Sequence, residues 1–298
     1  MALLIACGNG WRFFRPGGLD SLQTRRVLTA VVYYFFLPAL VLKVLWQADL
    51  GIHSLQISQL GMATIITGIA LMWLYGKFFT FPPTRTGAML LAAAFPNVTN
   101  LGLPVLEQSF GDWARAVAIQ MDLFATAPLL YTVGIMIAQH YGAKESAARR
   151  SIFSFLNVPP FWAAALAVLL NLNQVPMAEW LNGVLTRLAD AVVPLMLFSL
   201  GLALNWRAVH WRNAVYILPV LLIRMAIMPL FAWWLSGIIA MEGQQRAAAV
   251  LEMSMPCMVM GVVFCDRFQL DAELYAAVVA VSTVLSLLTL PFWFQFMH

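Results

Sequence analysis

The sequence predicts an all-α integral membrane protein of about ten transmembrane helices in a 5+5 inverted repeat, with the fourth and ninth helices broken. Three observations carry this. The chain of 298 residues is 62% hydrophobic and 10% charged, with a mean hydropathy of +0.82, whereas soluble domains are roughly 45 to 50% apolar and about 25% charged. Basic residues gather in alternate loops. Proline interrupts two apolar segments at equivalent places, in Ala94-Phe95-Pro96-Asn97-Val98-Thr99-Asn100 and in Ser254-Met255-Pro256-Cys257. Such a break frees backbone groups, which the bilayer tolerates only where they line a protein cavity.

A spanning helix needs about 20 apolar residues, and Pro, Gly and charge clusters divide the chain into segments of that kind. They fall at 1–14, 27–47, 57–79, 86–108, 114–140, 155–173, 183–204, 213–239, 244–265 and 273–297. The first is too short to span, which points to a truncated or misassigned start, or to a helix that stops inside the bilayer. Leu3-Leu4-Ile5-Ala6-Cys7 resembles a lipoprotein cleavage box, but no basic region precedes it and the apolar stretch is shorter than a usual signal.

Cytoplasmic loops collect Lys and Arg, so the loops test the segment count independently. Those after the odd-numbered segments hold Arg12, Arg15, Arg25, Arg26, Lys77, Arg85, Lys144, Arg149, Arg150, Arg207, Arg212 and Arg267. The opposite side holds Arg115, Arg187 and Arg246. Both termini are therefore expected on the non-cytoplasmic side. The polar run Lys144-Glu145-Ser146-Ala147-Ala148-Arg149-Arg150 lies almost midway, giving a first repeat over 1–141, a cytoplasmic linker over 142–154 and a second repeat over 155–298. Corresponding prolines support the repeat: Pro96 and Pro256 are offset by 160, Pro38 and Pro194 by 156, and Pro128 and Pro291 by 163.

The first break is polar. Asn97, Thr99 and Asn100 follow Pro96, and Gly102 and Pro104 follow them, so the helix is expected to unwind and offer amides to a small polar ligand. The competing reading is that the amides only cap the broken ends. The second break, around Pro256 and Cys257, offers mainly backbone groups. If the breaks cross, the helix N-termini beside them favour an anion.

Ionisable residues inside spans are functional candidates because burying a charge there costs at least about 2.5 to 3.5 kcal/mol on insertion scales. Lys43, Asp122, Arg224 and Glu252 qualify. Lys43 either reaches the cavity or snorkels to the surface. Arg224 is expected to pair with Glu252 or Asp122 in preference to substrate. Glu252 either carries a coupled proton, a role for which Asp122 is the alternative, or neutralises Arg224.

Other classes find little support. Cys7, Cys257 and Cys265 lack metal-ligand spacing, and His53, His140, His210 and His298 show no HExxH pairing. No Gly-rich phosphate loop is present and no catalytic constellation joins the serines and aspartates, so neither enzyme nor cofactor is expected. The bases are spread through short loops, which argues against nucleic acid. The aromatic residues are assigned to packing and interfacial belts, with Trp233, Trp234 and Trp293 near segment ends.

Phe95-Pro96-Asn97-Val98-Thr99-Asn100-Leu101-Gly102-Leu103-Pro104 resembles the helix 4 signature of the auxin efflux carrier family, which includes bacterial malonate permease-like proteins. Phe36-Leu37-Pro38-Ala39-Leu40, Arg224-Met225-Ala226-Ile227-Met228-Pro229-Leu230 and Ser282-Thr283-Val284-Leu285-Ser286-Leu287-Leu288-Thr289-Leu290-Pro291 are similar to its motifs in helices 2, 8 and 10. The resemblance implies a ten-helix inverted repeat in which the two broken helices, 4 and 9, are crossing, a scaffold of helices 1, 2, 6 and 7, a moving domain formed by the rest, and homodimerisation through a scaffold helix. It matches Pro96 and Asn97 to the first crossover and Pro256 to the second. The chain departs from the family in its short first segment and in lacking the Asn often found after Pro256. The short linker fits bacterial members in the inner membrane.

The expected function is secondary transport of small organic anions, mono- or dicarboxylates such as malonate, by an elevator-type alternating access. The alternatives are an anion channel and a sodium-coupled organic-anion symporter.

Overall fold

The computed structural model describes residues 2–48, 51–142, 159–204, 209 and 213–297. Nearly all of the expected linker 142–154, together with Arg207, His210, Arg212 and His298, lies outside them. The described residues form α1 (Ala2–Phe14), α2 (Ser21–Trp46), α3 (Ile52–Phe78), α4a (Pro83–Ala94), α4b (Leu103–Phe110), α5 (Ala114–Tyr141), α6 (Pro159–Leu172), α7 (Glu179–Ala203), α8 (Ala214–Ile238), α9a (Gly243–Met253), α9b (Gly261–Phe268) and α10 (Ala272–Met297). Six of these, α2, α3, α5, α7, α8 and α10, are long and apolar enough to cross a membrane. Large apolar side chains such as Phe14, Leu169, Trp180, Leu218 and Leu288 stand exposed on the outside, as lipid contact requires.

α1 is 13 residues long, about 20 Å against a hydrocarbon layer of about 30 Å. It lies on α7 through two glycines. A Cβ on Gly8 would meet the Phe198 carbonyl oxygen at 2.1 Å, and one on Gly201 would meet the Ile5 carbonyl oxygen at 2.1 Å. Small residues that let backbones touch are the usual device of helix association in lipid, where apolar burial gives little drive. α6 and α7 both pack on α2. α3, α4a, α4b, α5, α8, α9a, α9b and α10 pack among themselves as a second cluster.

α2 begins six residues before the expected boundary, because Asp20 accepts a hydrogen bond from the Leu22 amide at 3.0 Å and caps the helix. Arg25 and Arg26 thus lie in its first turns and not in a loop. Apolar content marks where a helix meets lipid, and this polar turn extends past that point.

Four of the five π turns among the described residues precede a proline; the fifth, Leu130–Gly134 in α5, does not. Five-residue π turns at Val32–Phe36, Val98–Gly102, Asp122–Thr126 and Ile223–Ile227 each end two residues before a proline, respectively Pro38, Pro104, Pro128 and Pro229. Proline lacks an N–H and its ring presses on the carbonyl four residues back. A widened turn relieves that clash while keeping the helix continuous.

Candidate functional site

The two breaks lie against each other. α4a ends at Ala94 and α9a at Met253, and the extended residues beyond them pair antiparallel as a single bridge between Pro96 and Cys257. The Asn97 amide donates to the Pro256 carbonyl at 2.8 Å, and the Met258 amide donates to the Phe95 carbonyl at 3.0 Å. Each proline removes a donor, and each break supplies the other with the partners it lacks. Backbone that would be too costly in lipid is satisfied here inside protein.

Side chains from α8 and α10 complete the joint. Arg224, fully buried on the π turn of α8, donates from Nη1 to the Ala94 carbonyl at 2.9 Å and from Nη2 to the Met253 carbonyl. Those are the last residues of α4a and α9a, where aligned peptide dipoles leave partial negative charge, so one guanidinium caps two half-helices. The expected pairing of Arg224 with Glu252 or Asp122 is thereby corrected: its hydrogen-bond partners are carbonyl oxygens. From α10, Ser282 Oγ accepts from the Cys257 amide at 3.3 Å and the Tyr275 hydroxyl donates to the Met258 carbonyl at 3.0 Å.

A cavity of about 80 Å³ opens beside the joint. Asn97, Thr99 and Asn100 line it from the first break, Asp122 and Tyr131 from α5, Tyr33 from α2, and Met258 and Met260 from the second break. Asn97 is 1% exposed, its Oδ1 accepts from Asn100 Nδ2 at 3.2 Å, and its own Nδ2 has no partner. Thr99 Oγ1 donates to Asp122 Oδ2 at 2.6 Å. The turn Val98–Gly102 leads into α4b, and Met258 and Met260 precede α9b, so two helix N-termini begin at this wall. The combination of an unpartnered amide N–H and two N-terminal ends is suited to oxygen atoms carrying negative charge.

The other residues singled out in the sequence fall as follows. Pro96, Pro256 and Cys257 form the bridge behind the cavity and do not line it. Glu252 is completely buried, neither carboxyl oxygen has a partner, and the group sits against the Gly102 backbone. Lys43 is half-buried in the wall of a different cavity. Trp293 packs inside the protein, 5% exposed, with its indole N–H donating to the Met225 carbonyl at 2.9 Å. Ser282, Tyr275 and Tyr33 escaped the sequence reading as site residues. Their signal is polarity on apolar helices, which spacing alone does not connect to the breaks. Among the described residues no His, Cys, Asp and Glu cluster is placed to hold a metal ion.

Residues 2–294 match a family model described as membrane transport protein. An uncharacterized transporter from Methanothermobacter thermautotrophicus is 33% identical over 282 residues, covering 93% of this chain and 90% of the relative. The uncharacterized transporter MJ1031 from Methanocaldococcus jannaschii is 27% identical over 304 residues, covering 98% and 94%. The uncharacterized transporter YfdV from Escherichia coli is 22% identical over 222 residues, covering 73% and 70%.

Proposed function

Since the chain belongs to the membrane transport protein family, we propose that it is a secondary carrier of small organic anions, with mono- or dicarboxylates such as malonate as substrates. It is a multi-pass integral membrane protein, and a transporter, not an enzyme. The observation that carries the substrate class is the buried Asn97 amide, unpartnered at Nδ2 and facing a cavity where two half-helices begin. In this reading Asn97 and Asn100 hold the carboxylate oxygens, and the N-terminal ends supply positive potential.

Movement is of elevator type. The cluster of α3, α4a, α4b, α5, α8, α9a, α9b and α10 carries the joint past α1, α2, α6 and α7, the two groups being related internally by the inverted repeat over 1–141 and 155–298. The arginine- and lysine-rich loops face the cytoplasm, which puts both termini on the other side of an inner membrane. The carrier is a homodimer. Glu252 carries the coupled proton: a buried carboxylate without partners is costly, and a proton removes that cost while the joint is closed.

The test is uptake of radiolabelled malonate by proteoliposomes, with and without a proton gradient and preloaded unlabelled malonate. Counterflow that disappears in Asn97→Ala is the expected result. Downhill flux without counterflow identifies a channel, and sodium-dependent accumulation identifies a sodium symporter.

A further inference from the structure

A cavity of about 390 Å³ lies farther along the seam between α2 and α5. Its wall carries Lys43 from α2 and Gln47 just after it, His53 from α3, Arg115 and Gln120 from α5, and Gln245 from α9a. It shares no lining residue with the cavity beside the joint, yet both are built on the same two helices. On α2, Tyr33 and Lys43 are separated by about 15 Å of helix, and on α5, Asp122 and Arg115 by about 10 Å. The interval is not solid: a small cavity of about 40 Å³, lined by Leu37, Val41, Ala118, Ile119 and Asp122 among others, lies between them. Three cavities therefore follow one line along the seam.

The wall of the large cavity contains polar groups with unmet capacity. Gln120 is 3% exposed and its Oε1 has no partner. Arg115 is 8% exposed and its Nε has none either. Its other edge is fixed, with Nη2 at 2.6 Å from Glu107 and at 3.5 Å from both Asp112 and Asp190. Asp112 also lines the cavity, but it is engaged with Arg115. Lys43 has no carboxylate within ion-pair distance among the described residues. Buried polar groups are normally partnered, so this wall lacks one occupant; Arg115 already has three carboxylates within 3.5 Å, and the charge that selects an anion comes from Lys43 alone. An ammonium, a guanidinium N–H and a carboxamide that can turn either end inward form a complement to a carboxylate.

We infer that this cavity is a second binding station for the carboxylate of the transported anion, held by Lys43 together with Arg115 and Gln120, on the same route as the crossover site. The inference rests on the organic-anion reading above. The two stations divide the work chemically. Lys43 captures charge from water, where an unneutralised cation raises the local anion concentration, and the neutral amides of Asn97 and Asn100 receive the anion inside the protein.

Equilibrium binding of radiolabelled malonate to the purified protein in lipid nanodiscs tests this. Two malonates per chain are expected. One is lost, or weakened at least tenfold, in Lys43→Gln and in Gln120→Leu and is regained in Lys43→Arg; the other is lost in Asn97→Ala. Rescue by Lys43→Arg separates a need for charge from a folding defect. A single malonate that is lost in Asn97→Ala and indifferent to Lys43→Gln overturns the second station and leaves the carrier reading standing. Two malonates that both survive Lys43→Gln also overturn the station. A site lost only in Lys43→Gln, with Asn97→Ala unchanged, supports the station and removes the crossover assignment. No malonate bound by the unaltered protein overturns both.

Discussion

The Glu252 carboxyl occupies the space that a side chain at Gly102 would need: a Cβ there would lie 1.9 Å from Oε1 and 2.7 Å from Oε2. The acid of one broken helix is thus seated on the backbone of the other. Gly102→Ala forces the carboxyl aside, and overpacking of this kind costs typically about 1 to 3 kcal/mol. Thermal unfolding of the variant in detergent should show a lowered midpoint. An unchanged midpoint would mean that the acid relocates without strain and is not seated as described.

Replacing the acid separates coupling from binding. Glu252→Gln keeps the shape and removes the titrating group. The unaltered carrier is expected to take up more malonate as the external pH falls below the internal pH, and the variant to lose that response while retaining counterflow. A variant that still accumulates malonate on a proton gradient removes Glu252 from the coupling step. Asp122→Asn is the parallel test for the carboxyl that Thr99 holds at 2.6 Å.

Arg224→Met leaves the Ala94 and Met253 carbonyls without their shared donor. Each buried group left unpaired costs about 1 to 3 kcal/mol, so the loss should be among the largest for a single substitution in this chain. Arg224→Lys retains the charge but not the two-pronged geometry and should recover only part. Equal unfolding midpoints for the Met variant and the unaltered protein would exclude the capping role.

Cysteine reactivity reports on the joint. Cys257 is fully buried, so a membrane-permeant maleimide should label it within minutes in the unfolded protein and leave it untouched in the native protein. Labelling of native Cys257 at a comparable rate would show that the joint opens to solvent.

The two helix breaks were legible in the sequence because proline acts locally. Pro96 and Pro256 marked the breaks by removing donors, and the amides after Pro96 marked the more polar one. The role of Arg224 was not legible: its charge suggested a carboxylate partner, whereas carbonyl oxygens of two distant helix ends carry no sequence signal. The partner of Trp293 is illegible for a related reason, since its position near a segment end does not reveal the Met225 carbonyl its indole meets. The cavity around Lys43 was invisible because its residues come from four helices and share no spacing. Gly102 appeared as a flexible position, yet its use is to leave room for Glu252.

The π turns have a consequence for how each helix presents its faces. An α-helix advances by about 100° per residue, and each π turn inserts roughly one residue beyond the regular winding. Side chains on either side of Val32–Phe36, Asp122–Thr126 and Ile223–Ile227 therefore belong to two different angular frames. A lipid-facing stripe followed upward along α2, α5 or α8 at constant pitch would veer by more than a quarter turn. In α5 that offset falls at Asp122, between the stretch bordering the Lys43 chamber and the stretch bordering the Asn97 chamber, so a single helix can turn a separate face to each.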